Sequence, residues 1–302
     1  MAKSNKVIIT VAPTSNFHGK EANPALPYQP DEIASSVYDC YNAGATLTHM
    51  HARDEQGANT NDTRVFIRIN HAVRAKCDII IQNSIAPANG GVAPQAEVGW
   101  QTLDAYPEMA SLDMGIVAVT NPRTGNDEMV NWTRGFLAKS AKIMQERGIK
   151  PELEIFNDSH IENVRFLIEK GLLTPPFSFN FVMGMNRVNH AAVPWSPQRL
   201  LAWVAELPPN SVFTTMGIGP MQVLATTTSL LCGGGCRVGF EDNVYYRKGE
   251  LAKSNAQLVE RAVRFAREFG LEPATPEEGR AMLGIPSLKS ADSIENRFKM
   301  SA

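Results

Sequence analysis

From Lys6 to Gly270 the chain alternates between short apolar, β-branched runs and longer segments of helical periodicity. This rhythm constrains the fold more than any other feature. A strand followed by a helix and then another strand is joined most simply by a helical crossover between parallel strands. Strands are predicted at Lys6–Pro13, Ala45–Asp54, Cys77–Ala86, Met109–Gly115, Pro151–Asp158, Phe177–Gly184, Ser211–Ile218 and Arg237–Asp242. Helices are predicted at Asp31–Asn42, Thr63–Lys76, Ala96–Tyr106, Val130–Arg147, Ser159–Lys170, Ser196–Leu207, Pro220–Leu231 and Ser254–Phe269. Gly148, Gly171 and Gly270 stand just past three of them, where a left-handed closing residue is needed. Eight such units in 302 residues fit a closed (β/α)8 TIM barrel. An open doubly wound sheet is the competitor, but no Gly-x-Gly-x-x-Gly follows the first strand. The expectation is therefore an α/β chain with a single barrel domain over residues 1–302. Residues 271–302 form a C-terminal extension with one short helix at Pro276–Leu283.

Composition narrows the partners. Net charge is -2 with no long run of one sign, which argues against nucleic acid or an anionic membrane as partner. No apolar stretch is long enough to span a bilayer, and Met1–Lys6 lacks the pattern of a signal peptide. Cys40, Cys77, Cys232 and Cys236 show no finger or redox spacing and read as free thiols in a reducing cytoplasm. The run Gly233-Gly234-Gly235 precedes a strand, so it reads as a tight turn; a phosphate cradle precedes a helix.

Chemistry in such a barrel collects at the C-terminal ends of the strands. The second strand ends in His49-Met50-His51-Ala52-Arg53-Asp54. Strand side chains alternate faces, so His49 and His51 point the same way, roughly 7 Å apart at Cα. Two inward imidazoles at that spacing can share a divalent metal, with zinc the first candidate. A catalytic zinc takes a third protein ligand and keeps one position open. Glu241 and Asp242, at the end of the last strand, are the best placed for it, because that strand neighbours the first in a closed barrel. Only one of the two should ligate, and the other is left as a base or positioning group. Arg237 on the same strand can pair with a carboxylate and hold it ionised. Glu152 and Glu154 share one strand face, suited either to a cationic or hydroxylic substrate or to a salt bridge.

Two stretches, Thr48-His49-Met50-His51-Ala52-Arg53-Asp54 and Arg237-Val238-Gly239-Phe240-Glu241-Asp242-Asn243, together with Lys248 to Val259, resemble the β-keto acid cleavage enzymes. The resemblance covers nearly the whole chain. It implies a (β/α)8 barrel, one Zn2+ per subunit, acetyl-CoA as co-substrate and an oligomer, commonly a homotetramer. It implies a small β-keto acid that is condensed with acetyl-CoA and cleaved by a retro-Claisen step to acetoacetate and a new CoA thioester. Carried over by position, His49, His51 and Glu241 match zinc ligands, Asp242 the general base and Arg237 its partner. Ser84 matches a residue that holds substrate near the metal, with Asn83 beside it, and Glu154 one that meets the substrate's variable end. Where the typical member has a glutamate after strand one, this chain has Thr14, so that loop is expected to alter what is accepted, with His18 and Lys20 nearby. A zinc-dependent hydrolase acting on a small carbonyl substrate is the alternative; it needs no acetyl-CoA.

Overall fold

In a computed structural model, which describes residues 5–88, 96–120, 125, 127–290, 292 and 293, eight parallel strands close into a barrel. They are β1 (Ile9–Val11), β2 (Leu47–Met50), β3 (Ile80–Asn83), β4 (Met109–Asp113), β5 (Lys150–Ile155), β6 (Phe177–Met183), β7 (Ser211–Gly217) and β8 (Gly235–Val238). β8 pairs with β1 through Arg237 opposite Thr10, which completes the ring. Around it run α1 (Pro30–Asn42), α2 (Thr63–Arg74), α3 (Arg134–Arg147), α4 (Asp158–Glu169), α5 (Pro197–Ala205), α6 (Gln222–Leu231) and α7 (Asn255–Glu268). A closed α/β barrel is what the alternation predicts.

Local sequence sets the helix ends. Pro30 opens α1, where its missing N–H costs nothing, and Gln29 and Glu32 cap each other's backbone reciprocally. The Ser254 hydroxyl accepts from Gln257 N–H at 3.1 Å to start α7, whose Leu258, Val259, Ala262 and Ala266 repeat at helical spacing and are buried. Between barrel and helices the core is aromatic on the side of β6, where the Phe181 and Trp203 ring centres lie 5.4 Å apart in a tilted pair.

Four predicted elements differ. The second strand stops at Met50; Ala52–Arg53 turns away and pairs antiparallel with Asn59–Thr60. The helix expected from Val130 starts at Arg134, because Val117–Thr120 and Asp127–Val130 form a hairpin and Thr133 caps the helix. The third helix is a 3-10 element, Glu97–Ala105, in which Gly99 presses against the carbonyl of Ile85. The last strand ends at Val238, not Asp242.

The segment after Leu271 is more than a tail. Glu272–Pro273 pairs with Lys6–Val7, and α8 (Pro276–Leu283) lies under the barrel. Leu283 and Ile285 pack on Ile8, Leu47, Ile80 and Met109 and close its N-terminal end. Arg280 donates to Glu108 at 2.6 Å, and Arg74 reaches the same carboxylate at 2.6 Å. Of the expected extension, residues 291 and 294–302 lie outside the described residues.

Candidate active site

β2 turns His49 into the barrel, and His51 stands one residue past the strand's end. Their Nε2 atoms are 3.4 Å apart. Glu241 completes a triangle: its Oε2 lies 3.6 Å from His49 Nε2, and its Oε1 3.3 Å from His51 Nε2. A tetrahedral ion with ligands at about 2.0–2.1 Å spaces them about 3.3–3.4 Å apart; the two imidazole nitrogens stand at that distance, and each has one oxygen of the Glu241 carboxylate within 3.6 Å. Glu241 Oε2 is buried and has no hydrogen-bond partner among the described residues, which a ligated oxygen would not need. A second cluster, His49 with Glu152 and Glu154, lies deeper. There Glu154 is already engaged by Arg237 at 3.2 Å and by Asn180 at 3.2 Å.

The end of β8 explains how neighbouring carboxylates serve one site. Gly239 has φ +138°, and a Cβ there would stand 2.2 Å from the Ala12 carbonyl oxygen. Only glycine lets the chain leave the sheet so sharply. Beyond this turn Glu241 and Asp242 no longer obey strand alternation, and both face the cavity. Arg237 grips Asp242 with two bonds, Nη2 to Oδ1 at 2.9 Å and Nε to Oδ2 at 3.1 Å, and donates to Glu241 at 2.5 Å. Three carboxylates thus share one guanidinium that is 2% exposed.

Electrostatics separates the groups. Burial raises the Glu241 carboxyl, but Arg237 and the two histidines more than offset it and hold it ionised, well below the usual carboxylate range. Burial drives Asp242 up to about 7, with Glu241 adding to the rise and Arg237 opposing it. A carboxyl poised there exchanges protons near neutral pH. Burial and then Arg237 depress His49 to about 4, so its ring is neutral and able to ligate. Burial and Glu154 push Glu152 to about 8 and raise Asp113 well above its ordinary value.

His49, His51, Glu241, Asp242, Arg237, Ser84 and Glu154 line one cavity of about 550 Å3. Two expected substrate contacts do not. Asn83 points outward, because alternation turns it from the barrel interior, and its amide donates to the Thr102 carbonyl at 3.0 Å. Thr14 is fully buried behind the wall; Asn16, Phe17 and His18 of its loop line the cavity instead. Lys20 is drawn to Glu32 at 2.6 Å on the surface. Asp113 and the apolar wall of Val117, Val119 and Val130 on the hairpin were not singled out from the sequence. Asp113 closes an ordinary-looking strand, and nothing in its spacing marks it.

Comparison with known proteins identifies the family and the fold. The family model described as beta-keto acid cleavage enzyme matches residues 6–285. The chain is 39% identical over 283 residues to a 3-keto-5-aminohexanoate cleavage enzyme of Fusobacterium nucleatum, covering 93% of this chain and 98% of that one. It is 32% identical to a 3-oxoadipate:acetyl-CoA acetyltransferase of Cupriavidus necator, covering 93% and 96%. Among solved structures it is similar to ObcA, with a TM-score of 0.72 at 20% identity. That match covers 87% of this chain but 66% of ObcA, and at this identity it bears on the fold alone. The barrel, the shared cavity and the match over nearly its whole length place this chain among the beta-keto acid cleavage enzymes.

Proposed function

We propose that the chain condenses a β-keto acid with acetyl-CoA and cleaves the product to acetoacetate and a new CoA thioester. His49, His51 and Glu241 would hold one Zn2+ per subunit, and the close approach of their ligand atoms supports this. When bound, the ion supplies Lewis acidity toward the keto oxygen of the substrate. The observation that carries the reading is Asp242. It is buried, faces the cavity beside the triad, and is held in one orientation by two bonds from Arg237. Such a carboxylate takes a proton from carbon 2 of the keto acid, and the resulting carbanion attacks the acetyl thioester. The released CoA thiolate then attacks the 3-keto carbon, the bond between carbons 2 and 3 breaks to give the new thioester, and the acetoacetate carbanion takes back the proton that Asp242 holds. Arg237 keeps the base aligned and compensates its charge, while Ser84 and Glu154 position the substrate's two ends.

The test is Asp242→Asn, assayed for acetoacetate from a panel of β-keto acids with acetyl-CoA, with bound zinc measured alongside. Loss of a general base costs about 10²–10⁴-fold in turnover. Zinc content should stay near one per subunit. Turnover near the native rate would remove Asp242 as base, and cleavage without acetyl-CoA would point to hydrolysis.

The same reading has the chain working in the cytoplasm as a homotetramer. Its free cysteines suit a reducing compartment. Light scattering on the purified protein checks the assembly.

A further inference from the structure

His49 can ligate through Nε2 only if its proton sits on Nδ1, and the side chain that decides this is Gln82. In the β2–β3 register Gln82 lies directly opposite His49. Its Oε1 is 2.6 Å from His49 Nδ1, and both residues are buried. An amide oxygen only accepts, so the contact requires Nδ1–H on the imidazole and leaves the Nε2 lone pair facing His51 and Glu241. The reverse amide orientation would place an NH2 group against Nδ1. The proton would then sit on Nε2, in the middle of the triad.

We propose that Gln82 is a positioning residue that fixes the His49 tautomer and thereby sets the affinity of the His49–His51–Glu241 site for zinc. The inference rests on the metal reading above. Gln82 does not line the cavity, and its oxygen meets His49 Nδ1, so its effect passes through that ligand.

The experiment uses the full chain. In metal-free protein labelled with 15N-histidine, long-range proton–nitrogen correlation reads the His49 tautomer. Competition with a chelator reads the zinc dissociation constant. The native protein should show the Nδ1–H form. Gln82→Met should mix the tautomers and weaken zinc about 10–100-fold, the usual cost of losing such a partner. Gln82→Glu keeps an acceptor at the same place and should restore most of the affinity and the Nδ1–H form. A role in packing alone would leave the tautomer of all three proteins the same. Finding the Nε2–H form in the native protein, or native zinc affinity in Gln82→Met, overturns the proposal. Should Gln82→Met not fold, the native tautomer and Gln82→Glu still decide it. If the native protein shows Nδ1–H yet binds no zinc stoichiometrically, the metal reading fails, and the proposal with it; that outcome is distinct because the tautomer is read without metal.

Discussion

At the scale of single residues, Arg237 bears the largest electrostatic burden. It is buried against Glu154, Glu241 and Asp242. Removing one partner of a buried ion network leaves uncompensated charge and costs about 3–5 kcal/mol. Arg237→Met should therefore lower unfolding stability by that order, measured with urea at neutral pH, besides abolishing turnover. His160 illustrates a different effect. It is fully buried at the start of α4, and burial lowers its pKa from 6.5 to about 4. The folded protein thus holds this ring neutral while the unfolded chain protonates it near pH 6.5. Its contribution is present above that pH and is lost as pH falls through about 4. One pKa unit is about 1.4 kcal/mol, so the native protein should lose about 2–3 kcal/mol between pH 7 and pH 4.5 on this account. His160→Gln should remove that part of the slope, and an unchanged slope would assign acid sensitivity elsewhere. Of these residues the sequence marked Arg237 by its motif. It could not mark His160 or Gln82, whose roles come from burial and from a neighbour on another strand.

At the scale of elements, the turn after β8 assembles the site. The carbonyl of Ala12 accepts from Glu241 N–H at 3.1 Å, and the N–H of Ala12 donates to Val238 at 2.9 Å. Gly239 sits between these bonds with its α-carbon against β1. Gly239→Ala adds a methyl group where there is no room and demands a positive φ of a residue that resists it. Strain of this kind costs about 1–3 kcal/mol before the clash is counted. The variant should unfold earlier in urea and lose turnover further, because Glu241 and Asp242 move with the turn. Native-like activity would show that the turn relaxes without disturbing them. The sequence left open which of the two carboxylates faces inward, since alternation along a strand admits only one. Gly239 resolves that by ending the strand early. In the same way His51 was expected within a strand, and the structure sets it just beyond. Strand count and order follow from local periodicity. The hairpins at Val117–Val130 and Tyr245–Leu251 do not, because segments of two to four residues are too short to show a period.

At the scale of the whole molecule, the two ends of the barrel are made differently. The C-terminal end is open and holds the cavity, with charged groups at its floor and an apolar wall above them. The N-terminal end is closed by α8, contributed by the last described part of the chain. Polarity led the sequence reading to treat this part as an appendage. Its function lies in a few apolar positions, Leu283 and Ile285, and in one arginine. Arg280 is 1% exposed and spans Glu108 and the carbonyl of Asp78, so it ties the plug to the base of β3 and β4. Glu108 also receives Arg74 and the N–H of Ile81 at 3.1 Å, so its charge stays partly compensated if Arg280 is lost. Arg280→Ala should therefore cost less than loss of Arg237, about 2–4 kcal/mol, near the lower end of what breaking a buried pair costs. Cutting the chain after Gly270 should do more, because it also uncovers Ile8, Leu47, Ile80 and Met109. Each large apolar side chain returned to water costs about 1.5–3 kcal/mol, and several together match the whole stability of an ordinary domain. The shortened chain should be insoluble or bind a hydrophobic dye, while Arg280→Ala stays folded with zinc affinity and KM close to native. If the chain ending at Gly270 folds with native stability, the plug is dispensable and the barrel closes its own base.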